Sequence, residues 1–383
     1  MKSGNTFLIA VSVIIFHCWL GSSPMFKDVF VMLRLPLLTI VLLFFCKEAI
    51  TTKYDLPKLL LYITVIALSM YSSLQIANMW MLYSVLIILF SEKYDEIQII
   101  RTIFLVMLTL FVANLSISAF NYVYSPQSLL VVESMDKKRY ALGFSSPNEA
   151  ARFWVYLSFL WYYQKGQIVA IDWIFLLFFS SILYVLTSSD ALFYIMLLPI
   201  STMLSTYSFS RKWICYVANY CFPFFAILTW YMINHMTPFV YIIDKILFTG
   251  RLRLSSIALD QYGYTILGQK IETFIEIGDS KSYTFLVVDN SYAYFLVSYG
   301  IVFLFLISYL FISAKVKNNY KVGVMFLLYA AFGLAENNII EPSAIFPVIL
   351  AYKRIPFITK RAYKNEHSFL QSNYDTPRGR RHS

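Results

Sequence analysis

The chain has little charge. Only 14% of its 383 residues are Asp, Glu, Lys or Arg, whereas soluble globular proteins carry roughly 25%. This shortage excludes an ordinary soluble enzyme. The formal net charge of +10 does not indicate a nucleic-acid partner either, because the basic residues lie mostly in short loops and in the C-terminal tail.

Cysteine and histidine are also scarce, with four residues of each type. The cysteines, at positions 18, 46, 215 and 221, lie in or beside apolar segments and show no C-x-x-C spacing. This pattern indicates neither a disulfide framework nor a zinc site. The sequence also has no histidine cluster and no Asp-x-Asp pair, so we expect neither a metal ion nor another cofactor.

Hydrophobic residues make up 59% of the chain and form long runs such as FLIAVSVIIFHCWL and FLVSYGIVFLFLISYLFI. A helix needs about 20 apolar residues to cross a bilayer. We therefore predict an all-α integral membrane protein, a polytopic bundle of about twelve transmembrane helices. The first run has no small-residue cleavage site after it and is expected to be a retained helix. The predicted spans are 5–20, 29–46, 57–76, 78–90, 97–120, 150–163, 168–186, 190–206, 213–233, 290–313, 322–336 and 339–352.

The distribution of Lys and Arg predicts the orientation of these spans. Most basic residues fall on one side if both termini are cytoplasmic, as the positive-inside rule requires. Two long loops, near 121–149 and 234–289, then face outward. The domain prediction is a transmembrane region over 1–352, including these loops, and a basic cytoplasmic tail over 353–383.

The second outer loop contains a predicted helix from Arg251 to Asp260, which follows Gly250 and ends near Gly263. Its apolar residues have helical spacing, so it could lie on the membrane surface. Arginine matches phosphate with two hydrogen bonds, and a helix start offers backbone N–H groups to an anion. Arg251 and Arg253 cannot face the same point on a helix, and we favour Arg251 as the ligand residue.

The first outer loop offers Arg139 as a second cation and Asn148 at a predicted helix start. Asn148 is either a helix cap or a substrate ligand, and the sequence leaves both open. Asp289 and Asn290, at the outer mouth of the span 290–313, are likewise either helix caps or functional residues. As a functional group, Asp289 could accept a proton from a sugar hydroxyl.

Three further side chains are candidates near the same membrane surface. His235 and Glu336 are alternative general bases at outer helix ends, although a lone histidine is more often structural. Tyr262 could stack on a sugar ring, but aromatic residues also collect at membrane interfaces.

Four local patterns are similar to those of bacterial O-antigen and capsule polysaccharide polymerases and the related O-antigen ligases. They cover the chain from Arg139 onward. Two departures matter: Asp190 stands where family members often have arginine, and Asp289 stands where ligases typically have histidine, which favours a polymerase. The patterns are RYALGFSSPN from Arg139, LTSSDALFYIMLL, the TGR of 249–251 followed by YGYTILG, and the DNSY of 289–292 followed by a span containing Tyr299 and Gly300.

The resemblance implies metal-independent glycosyl transfer on the outer face of the bacterial cytoplasmic membrane. An undecaprenyl-pyrophosphate-linked oligosaccharide is the implied substrate, and a chain-length regulator protein is an implied partner. Arg251, with Arg253 and Arg139, would bind pyrophosphate, and Asp289 would act as base or orient the acceptor. The alternatives are an O-antigen ligase, with lipid A core as acceptor, and a non-enzymatic flippase or exporter with charges along a central cavity.

Overall fold

The computed structural model describes residues 3–52, 54–124, 131–134, 137–166, 168–272, 274–277, 282–285, 288–316 and 319–355. Most of them are helical, and each of the twelve predicted spans contains at least some helical residues. The predicted tail from residue 356 onward lies outside the described residues. The helices are α1 Ser3–Ser22, α2 Lys27–Thr51, α3 Leu56–Ile76, α4 Trp80–Phe90, α5 Glu96–Tyr124, α6 Pro147–Gln164, α7 Ala170–Thr187, α8 Phe193–Leu204, α9 Ser208–Asn234, α10 Pro238–Ile243, α11 Arg251–Tyr262, α12 Ser291–Tyr294, α13 Ile301–Ser313, α14 Tyr320–Phe332 and α15 Phe346–Lys353.

Five helical segments are long and apolar enough to cross a membrane, and several shorter apolar helices accompany them. Large apolar side chains on the long helices are uncovered: Leu35 is 71% exposed, Phe178 66% and Ile227 65%. Such surfaces are unfavourable in water and suit a lipid environment. The long segments are Pro24–Thr51, Leu56–Ile76, Glu96–Tyr122, Ala170–Thr187 and Ser208–Asn234.

The shorter helices α4, α6, α14 and α15 form the centre of the bundle, and most of their residues are buried. Helix α9 packs along α14, while α1 packs against α2 and α5. The last predicted span, 339–352, is helical only in α15, which is about 12 Å long at 1.5 Å per residue. Residues 333–345 form an irregular segment inside the protein, with buried residues along most of it.

The predicted span 290–313 is interrupted rather than continuous. Helix α12 passes into a π-helical turn, and the chain then bends at Gly300, whose φ is +110°. A Cβ atom at Gly300 would lie 2.5 Å from the Ile266 carbonyl oxygen, so this close approach requires glycine. Backbone groups of Thr265 and Ile266 accept from the amides of residues 301 and 302 at 3.0 and 3.3 Å. The second loop thus satisfies the backbone groups that the bend exposes.

Both long loops contain regular structure beyond the prediction. Each has a two-stranded antiparallel hairpin, so the fold is predominantly rather than purely helical. The second loop also contains α10, which was not predicted, and the predicted helix α11. The hairpins pair β1 Val131–Ser134 with β2 Lys137–Tyr140, and β3 Phe274–Ile277 with β4 Ser282–Phe285.

The bundle has two different ends. One, here named the loop end, contains the two long loops together with residues 22–27 and 77–80, and its connections are hydrogen-bonded to each other, as from Ser145 N to Ser22 O at 2.9 Å. The other, here named the basic end, contains the connections near residues 52–55, 91–95, 165–169, 205–207 and 314–319. Lys353 there donates to backbone oxygens of residues 91, 92 and 94.

Candidate functional site

The start of α6 brings the first loop to the site. Ser146, and not Asn148, caps this helix, because the Ser146 Oγ accepts from the Glu149 amide at 3.2 Å. Proline at the first helical position needs no partner for an N–H group, so Pro147 fits this start. Asn148 follows Pro147 in the first turn of α6, and its Oδ1 accepts from Arg139 at 2.6 Å. The interpretation of Asn148 as the cap is therefore wrong.

Arg139 connects three elements at the loop end. Besides Asn148 on α6, its Nε donates at 2.7 Å to the carbonyl of Thr187, the last residue of α7. The final carbonyls of a helix lack partners within the helix, and a guanidinium is a favourable donor to them. Arg139 is thus bound to the protein itself, and none of its hydrogen bonds to described residues reaches Arg251.

Six charged side chains meet beneath the second loop and form what we name the carboxylate–arginine cluster. It consists of Glu149, Arg152, Arg251, Asp289, Glu336 and Glu341. The Arg152 guanidinium lies 3.4 Å from Glu149, 3.6 Å from Glu336 and 3.7 Å from Glu341. These four side chains are only 4 to 9% exposed. Arg152 is therefore the centre of the buried part of the cluster.

Arg251 forms the more accessible edge. Its Nε lies 3.8 Å from the Asp289 Oδ2 and its Nη2 lies 4.0 Å from Glu336, while Nη1 donates to the Ala335 carbonyl. The Arg251 and Asp289 side chains are 18% and 30% exposed. Glu336 is thereby shared between two arginines, and the pair Arg251–Asp289 separates it from the surface.

The local fold of the second loop determines where Arg251 points. Gly250 adopts a positive φ of 87° immediately before α11. The buried Asp244 carboxylate accepts from the amides of Leu252 at 2.8 Å and Arg253 at 3.1 Å, so it satisfies the free N–H groups at this helix start. Arg251 then faces the cluster and Arg253 is exposed. The predicted helix, and the prediction that the two arginines diverge, are confirmed.

Asn290 holds the irregular segment 333–336 against α12. Its Oδ1 caps α12 by accepting from Ala293 N at 3.0 Å, and its Nδ2 donates to the Leu334 carbonyl at 3.1 Å. Ser291 adds a backbone bond to Gly333 O at 2.8 Å. The cap is therefore Asn290 and not Asp289. Asn290 is fully buried, so it positions Glu336 rather than facing solvent.

The cluster contains four carboxylates and two guanidinium groups. Burial raises the pKa of Glu336 to about 7, against the opposing effect of Arg152 and Arg251. Burial also raises the pKa of Asp289 and of Glu341. A buried surplus of negative charge is unfavourable, and protonation of one carboxyl group lowers this electrostatic cost. The cluster can hold and release a proton near neutral pH.

The Asn338 side chain also contacts Arg152. In the amide orientation that satisfies both partners, its oxygen accepts from the two terminal guanidinium nitrogens at 2.7 and 3.1 Å. Tyr156, on the same helix as Arg152, donates from its hydroxyl to the Asn338 carbonyl at 3.3 Å. The segment 336–341 is thus bound to α6 by both charge and hydrogen bonds.

Two predicted residues lie apart from the cluster. The Tyr262 hydroxyl accepts from the Glu272 amide at 3.1 Å, within the second loop. His235, at the end of α9, is exposed and packs against Tyr231 with ring centroids 4.8 Å apart and the rings tilted by 53°. None of the ion pairs of the cluster includes either residue.

Sequence reasoning missed Arg152, Glu149 and Glu341 as site residues. The available signal was charge inside apolar segments: Glu149 and Arg152 are three apart at the start of α6, and AENNIIEPS places two carboxylates between the last two apolar segments. Among the described residues, no group of three or more His, Cys, Asp or Glu side chains is arranged to hold a metal ion.

Comparisons with known proteins give no relative. No family model matches the chain, and neither a curated protein nor a solved structure has significant similarity to it.

Proposed function

We propose that this protein is a polysaccharide polymerase, a glycosyltransferase that joins undecaprenyl-pyrophosphate-linked oligosaccharide repeats on the outer face of the bacterial cytoplasmic membrane. The observation that carries the proposal is the carboxylate–arginine cluster at the loop end, where a buried carboxyl group near neutral pKa lies behind a partly exposed arginine–aspartate pair. The loop end is the outer end in this proposal. The local sequence patterns from Arg139 onward supply the reaction class.

The reaction needs a base for the attacking hydroxyl. The acceptor hydroxyl forms a bond to the anomeric carbon of the donor, the bond from that carbon to the pyrophosphate breaks, and the electron pair leaves with the lipid pyrophosphate. The hydroxyl proton passes to a carboxylate. Glu336 and Asp289 are the candidates, because both have a raised pKa and both contact Arg251.

The leaving pyrophosphate needs fixed positive charge. Arg251 is oriented by Asp289 and Glu336, and it is the arginine of the cluster nearest to solvent. Arg253 is exposed two residues later, and among the described residues its side chain has no ion pair. Arginine pairs strongly with phosphate oxygens, so these two residues are the proposed pyrophosphate ligands. Arg139 has a supporting role through Asn148.

The test uses a strain that lacks the gene and is complemented by variants with an epitope tag. Glu336→Gln and Arg251→Ala should reach the membrane at normal levels but leave a single repeat on each anchor in a gel of surface polysaccharide. Asp260→Asn and Lys245→Ala, which alter exposed charges of the same loop, should give a normal ladder. A normal ladder from Glu336→Gln and Arg251→Ala would reject the proposed site. Loss of all surface repeats would indicate the ligase instead.

A flippase or exporter is the second candidate, because Glu149, Arg152 and Glu341 are buried inside the helical bundle. Charges in such positions often belong to transport pathways. The gene-deletion strain separates the two functions. Loss of a flippase leaves lipid-linked repeats on the cytoplasmic side, whereas loss of a polymerase leaves single repeats at the cell surface.

A further inference from the structure

A second group of polar side chains lies at the loop end, outside the carboxylate–arginine cluster. It surrounds a cavity of about 260 Å³ between α1, α2 and the turn from α3 to α4. Arg34, His17, Asn78, Trp80 and Tyr83 contribute polar groups to its lining. The volume lies below the roughly 300–1,000 Å³ of pockets that enclose drug-sized molecules. The cavity therefore suits a small polar group rather than a sugar repeat.

Arg34 is the unusual residue of this cavity. It lies seven residues into α2, about 10 Å along the helix from Lys27. Within the part of the chain that the structure describes, Arg34 has neither a hydrogen bond nor an ion pair. An arginine at such a depth is costly unless an anion or water compensates it. Its guanidinium lies close enough to His17 to act on that ring electrostatically.

His17 provides a second donor. The side chain is 3% exposed, and its ring stacks on Phe30 at 4.9 Å. The Nδ1 atom lies 2.9 Å from the Tyr83 hydroxyl, whereas Nε2 has no partner among the described residues. If Tyr83 donates to Nδ1, then Nε2 carries the proton and is a donor. A buried donor without a partner destabilises the protein, and an acceptor in the cavity would remove that cost.

Asn78, which also lines the cavity, adds amide hydrogens. Its Oδ1 accepts from the Trp80 backbone amide at 2.9 Å, which leaves its NH₂ group as a donor. The described lining contains no carboxylate. The cavity is therefore rich in donors and positive in charge, which is the chemistry that recognises phosphate.

We propose that this cavity binds the phosphate group of a membrane lipid, with Arg34 and the Nε2 of His17 as its ligands. The lipid chains lie along α2, whose outward residues are apolar and exposed: Met32 is 78% exposed and Leu35 is 71% exposed. The phosphate belongs either to an ordinary phospholipid or to a polyprenyl phosphate. Both present the same oxygen acceptors, and the experiment below separates them.

Cys18 connects the cavity with the carboxylate–arginine cluster, because it lines the cavity and Glu341 of the cluster acts on it electrostatically. A lipid phosphate bound to Arg34 would therefore lie at the same end of the bundle as the proposed reaction site. This position makes the cavity a candidate anchor for a lipid-linked substrate, a refinement that rests on the proposed function.

The test measures lipid binding and not polymer formation, so it can fail independently of the proposed function. Full-length protein in detergent is titrated with phosphatidic acid, polyprenyl phosphate, diacylglycerol and inorganic phosphate, and the thermal unfolding temperature and bound lipid mass are recorded. The two lipid phosphates should stabilise the wild-type protein, and diacylglycerol should not. Tighter binding of polyprenyl phosphate than of phosphatidic acid assigns the site to a lipid-linked substrate; the reverse assigns it to a phospholipid.

Arg34→Gln should weaken binding at least about tenfold, because it removes a charge-assisted contact to phosphate. Arg101→Gln is the matched control, since Arg101 is an exposed arginine on α5, and it should bind as the wild type does. Arg34→Lys keeps the charge but loses the two-point contact of a guanidinium with phosphate, so it should bind more weakly than the wild type, and it serves if Arg34→Gln does not fold. Equal stabilisation by diacylglycerol, or undiminished phosphate binding in a folded Arg34 variant, would overturn the proposal.

Discussion

The two ends of the helical bundle differ in how their charged side chains are paired. At the basic end, carboxylates and cations are paired one with one: Arg354 makes two bonds of 2.8 and 2.9 Å with Glu96, and Lys165 lies 2.5 Å from Asp172. At the loop end, four carboxylates share Arg152 and Arg251, and the contacts are longer, from 3.4 to 4.0 Å.

We infer from this difference that the ion pairs of the basic end stabilise the protein, whereas the charges of the loop end serve its function. At the basic end each charge is compensated by its partner, which stabilises the fold. A buried cluster with too few cations is unfavourable for folding but has a proton to exchange. Such costly arrangements are typical of functional sites. The comparison therefore locates the candidate chemistry at the loop end, and three substitutions or conditions can test it.

The largest loss of stability is expected from Arg152→Met. This change leaves Glu149 and Glu341 buried without a cation, and removing one partner of a buried ion pair costs about 3–5 kcal/mol. Arg354→Met is the matched change at the basic end. Its partner Glu96 keeps a 2.7 Å bond from Tyr163 and is 23% exposed, so the loss should be smaller. Membrane levels and thermal unfolding of the two variants give the comparison; equal losses would remove the proposed contrast between the ends.

The second-largest change in stability is expected from pH. The folded pKa of Glu336, about 7, is higher than the value of roughly 4.3 for an exposed glutamate. The folded protein therefore binds the extra proton between these values, and its stability falls as pH rises from about 4.5 to about 7 and then levels off. The expected total is on the order of 3 kcal/mol.

Glu336→Gln should flatten this profile, because glutamine does not titrate, while Asp260→Asn on the exposed side of α11 should leave it intact. Unfolding temperatures between pH 5 and pH 8 measure both. If stability still falls with rising pH in Glu336→Gln, then another group of the loop end binds the extra proton.

A smaller effect is expected from Asp244→Asn. The substitution replaces one of the two carboxylate oxygens by an NH₂ group, so one of the two amides at the start of α11 loses its acceptor, which costs about 1 kcal/mol. It should also misalign Arg251 and shorten the polysaccharide ladder. Asp190→Asn, at an exposed position between α7 and α8, is the control for both readouts. A normal ladder in a destabilised Asp244→Asn protein would show that α11 positions Arg251 without this carboxylate.

Local sequence patterns predicted several features correctly. The helical, apolar character of the chain was predicted from its apolar runs, and Gly250 and Gly263 bound α11 as expected. The divergence of Arg251 and Arg253 also follows from helical geometry alone. These features depend on neighbours within a few residues, which is the range over which a sequence pattern carries information.

The cap of α6 and the bend at Gly300 were not predictable in the same way. Ser146 and Asn148 are both good capping residues, and in the structure Ser146 caps α6 while Asn148 accepts from Arg139. The bend at Gly300 depends on the distant Ile266, whose carbonyl occupies the space of a side chain. Apolar composition alone therefore predicted one continuous span where the structure has two pieces.

By itself, then, the sequence determined that the protein is helical and apolar, and that Arg251 and Asp289 are candidates in its second loop. The tertiary structure alone decided that they meet, that Glu336 joins them, and that Arg152 holds the other side of the cluster. The physical reason is distance along the chain: Arg251 bonds to a carbonyl 84 residues away, and no local periodicity encodes such a contact.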